Sequence, residues 1–554
     1  MIGGMATTHE VANQVLPLYG HNILVGDQAL SEAVVRHTVD GPGRELRELG
    51  SLAGTEQAAL WATDANAHEP RLLTHDRYGH RIDEVSFHPA WHELMNVAVS
   101  HGLHGAPWAD RRADAHVQRA AGFFVWSQVE SGHGCPISMT YAVLPALRHQ
   151  PALAAAYEPG LVRSSYDPGL RDPATKDGLL AGMGMTEKQG GSDVRANATR
   201  AEPSADGSWR LTGHKWFCSA PMCDLFLVLA QAPAGLSCFL VPRVLPDGTR
   251  NVFALQRLKD KLGNRSNASS EVEFDATTGW LVGPEGRGVS TIIEMVAMTR
   301  LDCVLGSAGL MRAALTQAVH HAAHRSTFGQ LLLDAPLMQS VLADLALESE
   351  AATALAIRLA AAVDNGEAAF SRLALAASKF WICKRTPYAV GEALEALGGN
   401  GYVEESGMPR LYREAPLNSI WEGSGNVIAL DVLRAIGREP EAVAAVHAEL
   451  EAALGVDRRF DLAVKELGVL LTAVGQADPR EAQGQARQVA GSLAVALQAS
   501  LLLRHAPAEV ADAFCASRLG AVGDGVAGGG GGVFGALPRG VPVRRLVDRA
   551  RIGA

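Results

Sequence analysis

The sequence holds no Cys-x-x-Cys pair and no cysteines set with histidines at zinc-ligand spacing; its seven cysteines, Cys135, Cys218, Cys223, Cys238, Cys303, Cys383 and Cys515, are scattered. That pattern argues against a structural metal site and against a disulfide framework, and it suits free thiols in a reducing cytoplasm. Residues 1–20 lack a basic segment followed by an apolar one, and no apolar run reaches the roughly 18 residues of a membrane-spanning helix. A cytoplasmic protein without a membrane span is expected. Positive charge is not in excess either: the net charge is -10, which excludes an overall phosphate-seeking coat and leaves nucleic acid only a local patch. Aromatic residues are few, 6% of the chain, and no internal repeat is evident, so a sandwich, barrel array or solenoid is disfavoured.

What is abundant is Ala and Leu, within a chain that is 47% apolar. The 554 residues exceed what one core usually supports, so several packed domains are expected, mostly helical. Residues 1–35 read as an arm that docks on the body. Helical spacing of apolar residues follows in WHELMNVAVSHGLH and VQRAAGFFVWSQVE, giving a helical domain over 36–181. Short alternating runs bounded by Gly, Pro and Asp, among them GSWRLTGHKWFCSA and DLFLVLAQA, predict a small β-domain over 182–283. Long helices return over 284–437, and 438–554 add further helices, the glycine-rich stretch GDGVAGGGGGVFG and an arginine-rich end.

Four segments can carry chemistry, and each has a plainer reading. MTEKQGGSDV (185–194) places hydroxyls and a glycine pair between segments of different period, fit for a ligand's close approach or for an ordinary turn. HKWFCSA sets Trp216, Phe217 and Ser219 where a planar ring could lie, or forms a core strand. ALGGNGY (396–402) ends a helix with glycines that serve as a C-cap or admit a phosphate. NSIWEGSGNVIALDVLR puts Glu422 before a new helix, as a base or as a carboxylate that complements the helix dipole, with Ser424 or Asn426 as cap or ligand contact.

These segments, with KLGNRSN (261–267) and HRSTFG (324–329), occur in the order found in the acyl-CoA dehydrogenase family, which the chain resembles across about residues 60–435. FHPAWHELM, GCPISMTYA and PRLYREAPLNSIWEGSGNV are similar to a subfamily of flavoproteins tied to the bacterial adaptive response to alkylating agents. The resemblance implies a helical domain, a β-barrel-like domain and a helical bundle, here with an extra C-terminal helical domain. It implies FAD as cofactor, bound in a homotetramer whose subunits share sites. Met185, Thr186, Gly191, Ser192, Asp193, Val194, Phe217, Cys218 and Ser219 would surround the flavin ring. Ile420, Trp421, Gly423, Ser424, Gly425 and Asn426 would line the turn beside it, while Arg325, Phe328, Gly398 and Gly399 would reach a partner subunit's cofactor.

The family's reaction takes the α-proton of an acyl-CoA with a carboxylate while the β-hydride goes to flavin N5. Glu422 matches the usual base position. The alternative base position, just before the arginine that matches Arg300, holds Thr299 here. Phe217 and Ser219 stand where typical members have Trp and Thr, and Glu395 where many have Gln, which implies weak dehydrogenase activity. The electron acceptor is not named by the sequence. The subfamily resemblance further implies double-stranded DNA binding by the C-terminal segment, protecting DNA from alkylation. Residues 438–554 carry about as many acidic as basic groups, with Arg518, Arg544, Arg545 and Arg549 as the candidate phosphate contacts.

Overall fold

The structure, a computed structural model, describes residues 8–519 and 532–552; most of the glycine-rich stretch lies outside the described residues. Helices run from Gln28–His37 to Pro151–Leu161, interrupted by an antiparallel hairpin, Arg71–His75 with Arg81–Ser86. The helical reading of this region did not contain that hairpin. Its cause is local: Asp76 accepts hydrogen bonds from the Tyr78 and His80 amides, and Gly79 turns with φ +89°, a conformation that favours glycine.

The central sheet has seven strands, and it closes because Leu225–Ala232 pairs both with Gly235–Pro242 and, through the short strand Arg200–Pro203, with the rest of the ring. Both of its faces are covered: Phe226, Val228 and Phe239 share one face and Leu227 and Leu240 the other, all fully buried. The strand Trp209–Ser219 pairs with Ser269–Val282, but the register shifts between Lys215 and Cys218. Such an irregularity re-aims side chains, and here it leaves Trp216 and Phe217 out of the ladder.

Three long helices follow: a spine helix Gly288–His324, a return helix Pro336–Asp364 and an inner helix Ala368–Ala396. The spine helix is buried over most of its surface, as its apolar residues on every face require. Spine and inner helices run parallel, since Cys383 Sγ meets the Cys303 carbonyl and Thr386 Oγ1 meets that of Ser307. A turn helix, Gly425–Arg438, and an outer helix, Pro479–His505, pack against the inner helix. The outer helix is long and apolar enough to cross a membrane by length and composition, which corrects the expectation that no run is; 78% of its apolar window is buried inside the protein.

The arm is held at the far end of the spine helix, where Asn13 exchanges hydrogen bonds with the Ser326 backbone and Arg325 donates to the Asn13 carbonyl.

Candidate active site

Glu422 sits on a strained turn. Its φ is +57° and that of Gly423 is +105°; for a residue with a Cβ this conformation costs on the order of 1–3 kcal/mol and persists only where the surroundings impose it. They do so through three successive carbonyls. Lys379 Nζ donates to the Trp421 and Gly423 carbonyls at 2.7 and 2.6 Å, and Arg300 Nε donates to that of Glu422 at 3.1 Å. Lys379 is buried and comes from the inner helix; Arg300 comes from the spine helix and is itself set by Asp431 at 2.8 Å, which also takes Arg372 and Arg434.

Burial raises the Glu422 carboxyl from 4.5 to about 7, against the pull of Arg300 and Lys379 and a hydrogen bond from the Thr299 hydroxyl. Its Oε2 is buried without a hydrogen-bond partner, an expensive condition unless a ligand or water serves it. A carboxyl near neutrality, aimed with one free oxygen, is poised to accept a proton. The thiol of Cys135, raised to about 11 by burial, lies beside Asn267 and Ser219 and within the field of Glu422. The buried Asn267 amide has neither side-chain atom paired.

The loop 185–194 is fixed from beneath by Glu187. This fully buried carboxylate pairs with Lys215 at 2.7 Å and accepts from the Ala198 and Thr199 amides, so Gly191, Ser192 and Asp193 are left exposed while Met185, Thr186 and Val194 are half-buried. Thr186 receives the Trp216 amide on its carbonyl at 2.8 Å, which brings loop and strand together. Phe217 is 53% exposed and Ser219 half-buried beside it. Cys218 is a correction: its side chain is buried in the barrel toward the Met183 carbonyl, because neighbours on a strand face opposite ways, so only its backbone is available to a ligand.

Arg325, Phe328, Gly398 and Gly399 are not brought to Glu422. Along the spine helix Arg325 lies roughly 39 Å beyond Thr299 at 1.5 Å per residue, and Gly398 follows the end of the parallel inner helix. Phe328 there is fully exposed, with φ +50°.

The arginines expected to meet nucleic acid are already engaged. Arg518 is buried and paired with Asp344 at 2.5 Å and Glu348 at 3.1 Å, which removes it from any surface. Arg549, 12% exposed, pairs with Glu32 and Glu350. Arg544 pairs with Asp334 and Asp548, and Arg545, the most exposed, lies 3.4 Å from Glu509. Of the four, Arg518 and Arg549 meet acidic groups on the return helix.

Lys379, Arg300 and Asp431 as supports of the turn were missed from sequence, where Arg300 served only as a landmark. The available signal was a lone lysine in the apolar run LALAASKFWIC.

A closed barrel against a parallel-helix bundle, with a carboxylate on a strained turn between them, defines an oxidoreductase of the acyl-CoA dehydrogenase type. The comparisons agree. Residues 182–277 match the acyl-CoA dehydrogenase middle domain, residues 286–437 its C-terminal domain, and residues 13–168 the adaptive response protein AidB N-terminal domain. The chain is 47% identical over 514 residues to AidB of Escherichia coli (strain K12), covering 92% of this chain and 94% of that one. It is 30% identical to acyl-CoA dehydrogenase family member 11 of Caenorhabditis elegans, covering 83% and 80%. The crystal structure of Caenorhabditis elegans ACDH-11 in complex with C11-CoA superposes with a TM-score of 0.83 at 26% identity, covering 93% of this chain and 95% of that one. The chain belongs to the acyl-CoA dehydrogenase family, as an AidB-like flavoprotein.

Proposed function

We propose that the chain oxidises an acyl-CoA thioester, with Glu422 removing the α-proton and FAD held across the barrel and bundle of neighbouring subunits. The observation that carries this reading is the unpaired, buried carboxylate oxygen of Glu422 on a turn locked by two cations. The residues present fit the cofactor: an outward aromatic at Phe217, an exposed Ile420, the exposed 191–193 loop and open space above Gly398 and Gly399 suit a long, partly planar, partly anionic group. Met185, Thr186, Ser192, Phe217 and Ser219 would hold its ring, and Ser424 and Asn426 the adjoining portion. When bound, FAD supplies the acceptor for the β-hydride. The protein's own part is the proton: the C–H bond at the α-carbon breaks toward Glu422, its electron pair forms the α,β double bond, and the carboxyl returns the proton to solvent.

For the substrate's nucleotide end, a cleft of about 930 Å³ lies between barrel and bundle, floored by apolar residues such as Val289, Ile293 and Leu359 and rimmed by Arg195, Arg287, Arg372 and Arg434. Arg195 and Arg287 have no carboxylate partner among the described residues, a charge arrangement suited to phosphates. Arg300 lines the same cleft and so links it to the Glu422 turn. The ACDH-11 complex with C11-CoA supports this choice of ligand. Arg287→Glu is expected to raise KM for the thioester about tenfold or more, on the scale of one lost charge-assisted hydrogen bond, with FAD content unchanged. An unaltered KM would remove the cleft from the substrate's path. The far-end residues, Arg325 and Phe328 at the end of the spine helix roughly 39 Å beyond Thr299 and Gly398 and Gly399 roughly 29 Å beyond Lys379 on the inner helix, are proposed to complete a partner's cofactor site in a homotetramer, and the free thiols suit a cytoplasmic setting.

A further inference from the structure

The bundle's family match ends at residue 437, yet a side chain from well beyond it reaches the turn that bears the base. Arg487, on the outer helix, donates from Nε to Asn426 Oδ1 at 2.9 Å. Asn426 is the second residue of the turn helix, four positions after Glu422. Arg487 has no carboxylate partner among the described residues, and it is exposed, so core packing does not explain the contact. The approach is close. A Cβ at Gly425 would stand 3.7 Å from an Arg487 terminal nitrogen and 2.6 Å from Lys384 Cε, so these two cations flank the chain at 425.

An asparagine amide has an accepting and a donating end. By donating to Oδ1, Arg487 determines which end faces the outer helix and leaves Nδ2 as a donor directed elsewhere. We propose that Arg487 is a positioning residue for the cofactor: it orients Asn426 so that Nδ2 faces the bound FAD, which makes the C-terminal segment part of cofactor retention. This rests on the FAD reading given above. The competing view is an incidental surface contact, of the kind that contributes little, and coupling between the two residues separates them.

The test is a double-mutant cycle on the full-length protein with Arg487→Ala, Asn426→Ala and the pair, reading the FAD dissociation constant from cofactor fluorescence on release, alongside the apoprotein's thermal midpoint. Arg487→Gln, closer in length, serves as a second single variant. The expected result is about tenfold weaker FAD binding in either Arg487 variant, an unchanged midpoint, and a double variant no weaker than Asn426→Ala alone. Wild-type affinity in both Arg487 variants, or fully additive losses, would overturn the proposal. A wild-type protein that takes up no FAD would instead overturn the reading on which it rests.

Discussion

Glu422 is held near neutrality by its surroundings, and that fixes how activity depends on pH. The ionised carboxylate is the competent form, so the rate of thioester-driven flavin reduction should rise with pH and reach half its maximum near 7; a rate already flat from pH 5 upward would contradict this. Stability moves the other way. The folded state retains a proton on Glu422 that the unfolded chain releases above about 4.5, so this group's contribution falls as pH rises from 4.5 to 7. Glu422→Gln should therefore lose less stability than wild type between pH 5 and pH 8 in urea titrations. Lys379 is the second residue with a sharp consequence. Lys379→Met would leave the Trp421 and Gly423 carbonyls without their donor, at about 1–3 kcal/mol for each buried group, and let the turn relax out of its strained conformation. Flavin reduction should fall with stability, in contrast to Glu422→Gln, where chemistry alone is lost. Glu422 was picked out by its match to the family's usual base position; its neighbours alone read equally as a carboxylate that complements the helix dipole. Lys379 was not read, because its partners are main-chain carbonyls that residue types do not reveal, and its place in an apolar run marks it as buried without naming what it holds.

The barrel and the long helices were legible from period and composition, since apolar alternation and Ala-Leu-rich runs report directly on which faces are buried. The 71–86 hairpin was missed because its strands are half-buried, with charged residues at Arg71, Arg81 and Glu84 obscuring the alternation. Arg518 misled for a similar reason: charge read along a chain does not disclose its partner in space, whereas Arg544 and Arg545 do stay on the surface. Asp344 and Glu348, one turn apart on the return helix, are the partners of Arg518, and Glu350 that of Arg549. Arg518→Ala would leave the buried Asp344 carboxylate without a cation, while Glu348 keeps Arg385, which should cost about 3–5 kcal/mol in denaturant unfolding. Its effect on binding of a DNA duplex should be no greater than this loss of folded protein explains. Selective loss of duplex binding in a stably folded variant would restore a surface role for that residue.

At the scale of the whole molecule, the base and the far-end residues occupy opposite ends of one bundle, so a cofactor touching both kinds of residue needs a second copy of the chain. Phe328→Ala, at a fully exposed side chain, should leave the fold intact while reducing both self-association and FAD content, measured by sedimentation and by flavin absorbance of the same samples. Loss of neither would confine the cofactor to one subunit. The central claim is that Glu422 works as a base on an acyl-CoA thioester, and the most direct measurement is an anaerobic titration of the FAD-loaded protein with a panel of acyl-CoA chain lengths, following flavin absorbance, with Glu422→Gln in parallel. The account predicts bleaching by at least one thioester in the wild-type protein and a rate lower by about three orders of magnitude in the variant, the scale expected for removal of a positioned base. A flavin that stays oxidised with every thioester, or bleaches equally in Glu422→Gln, would contradict it.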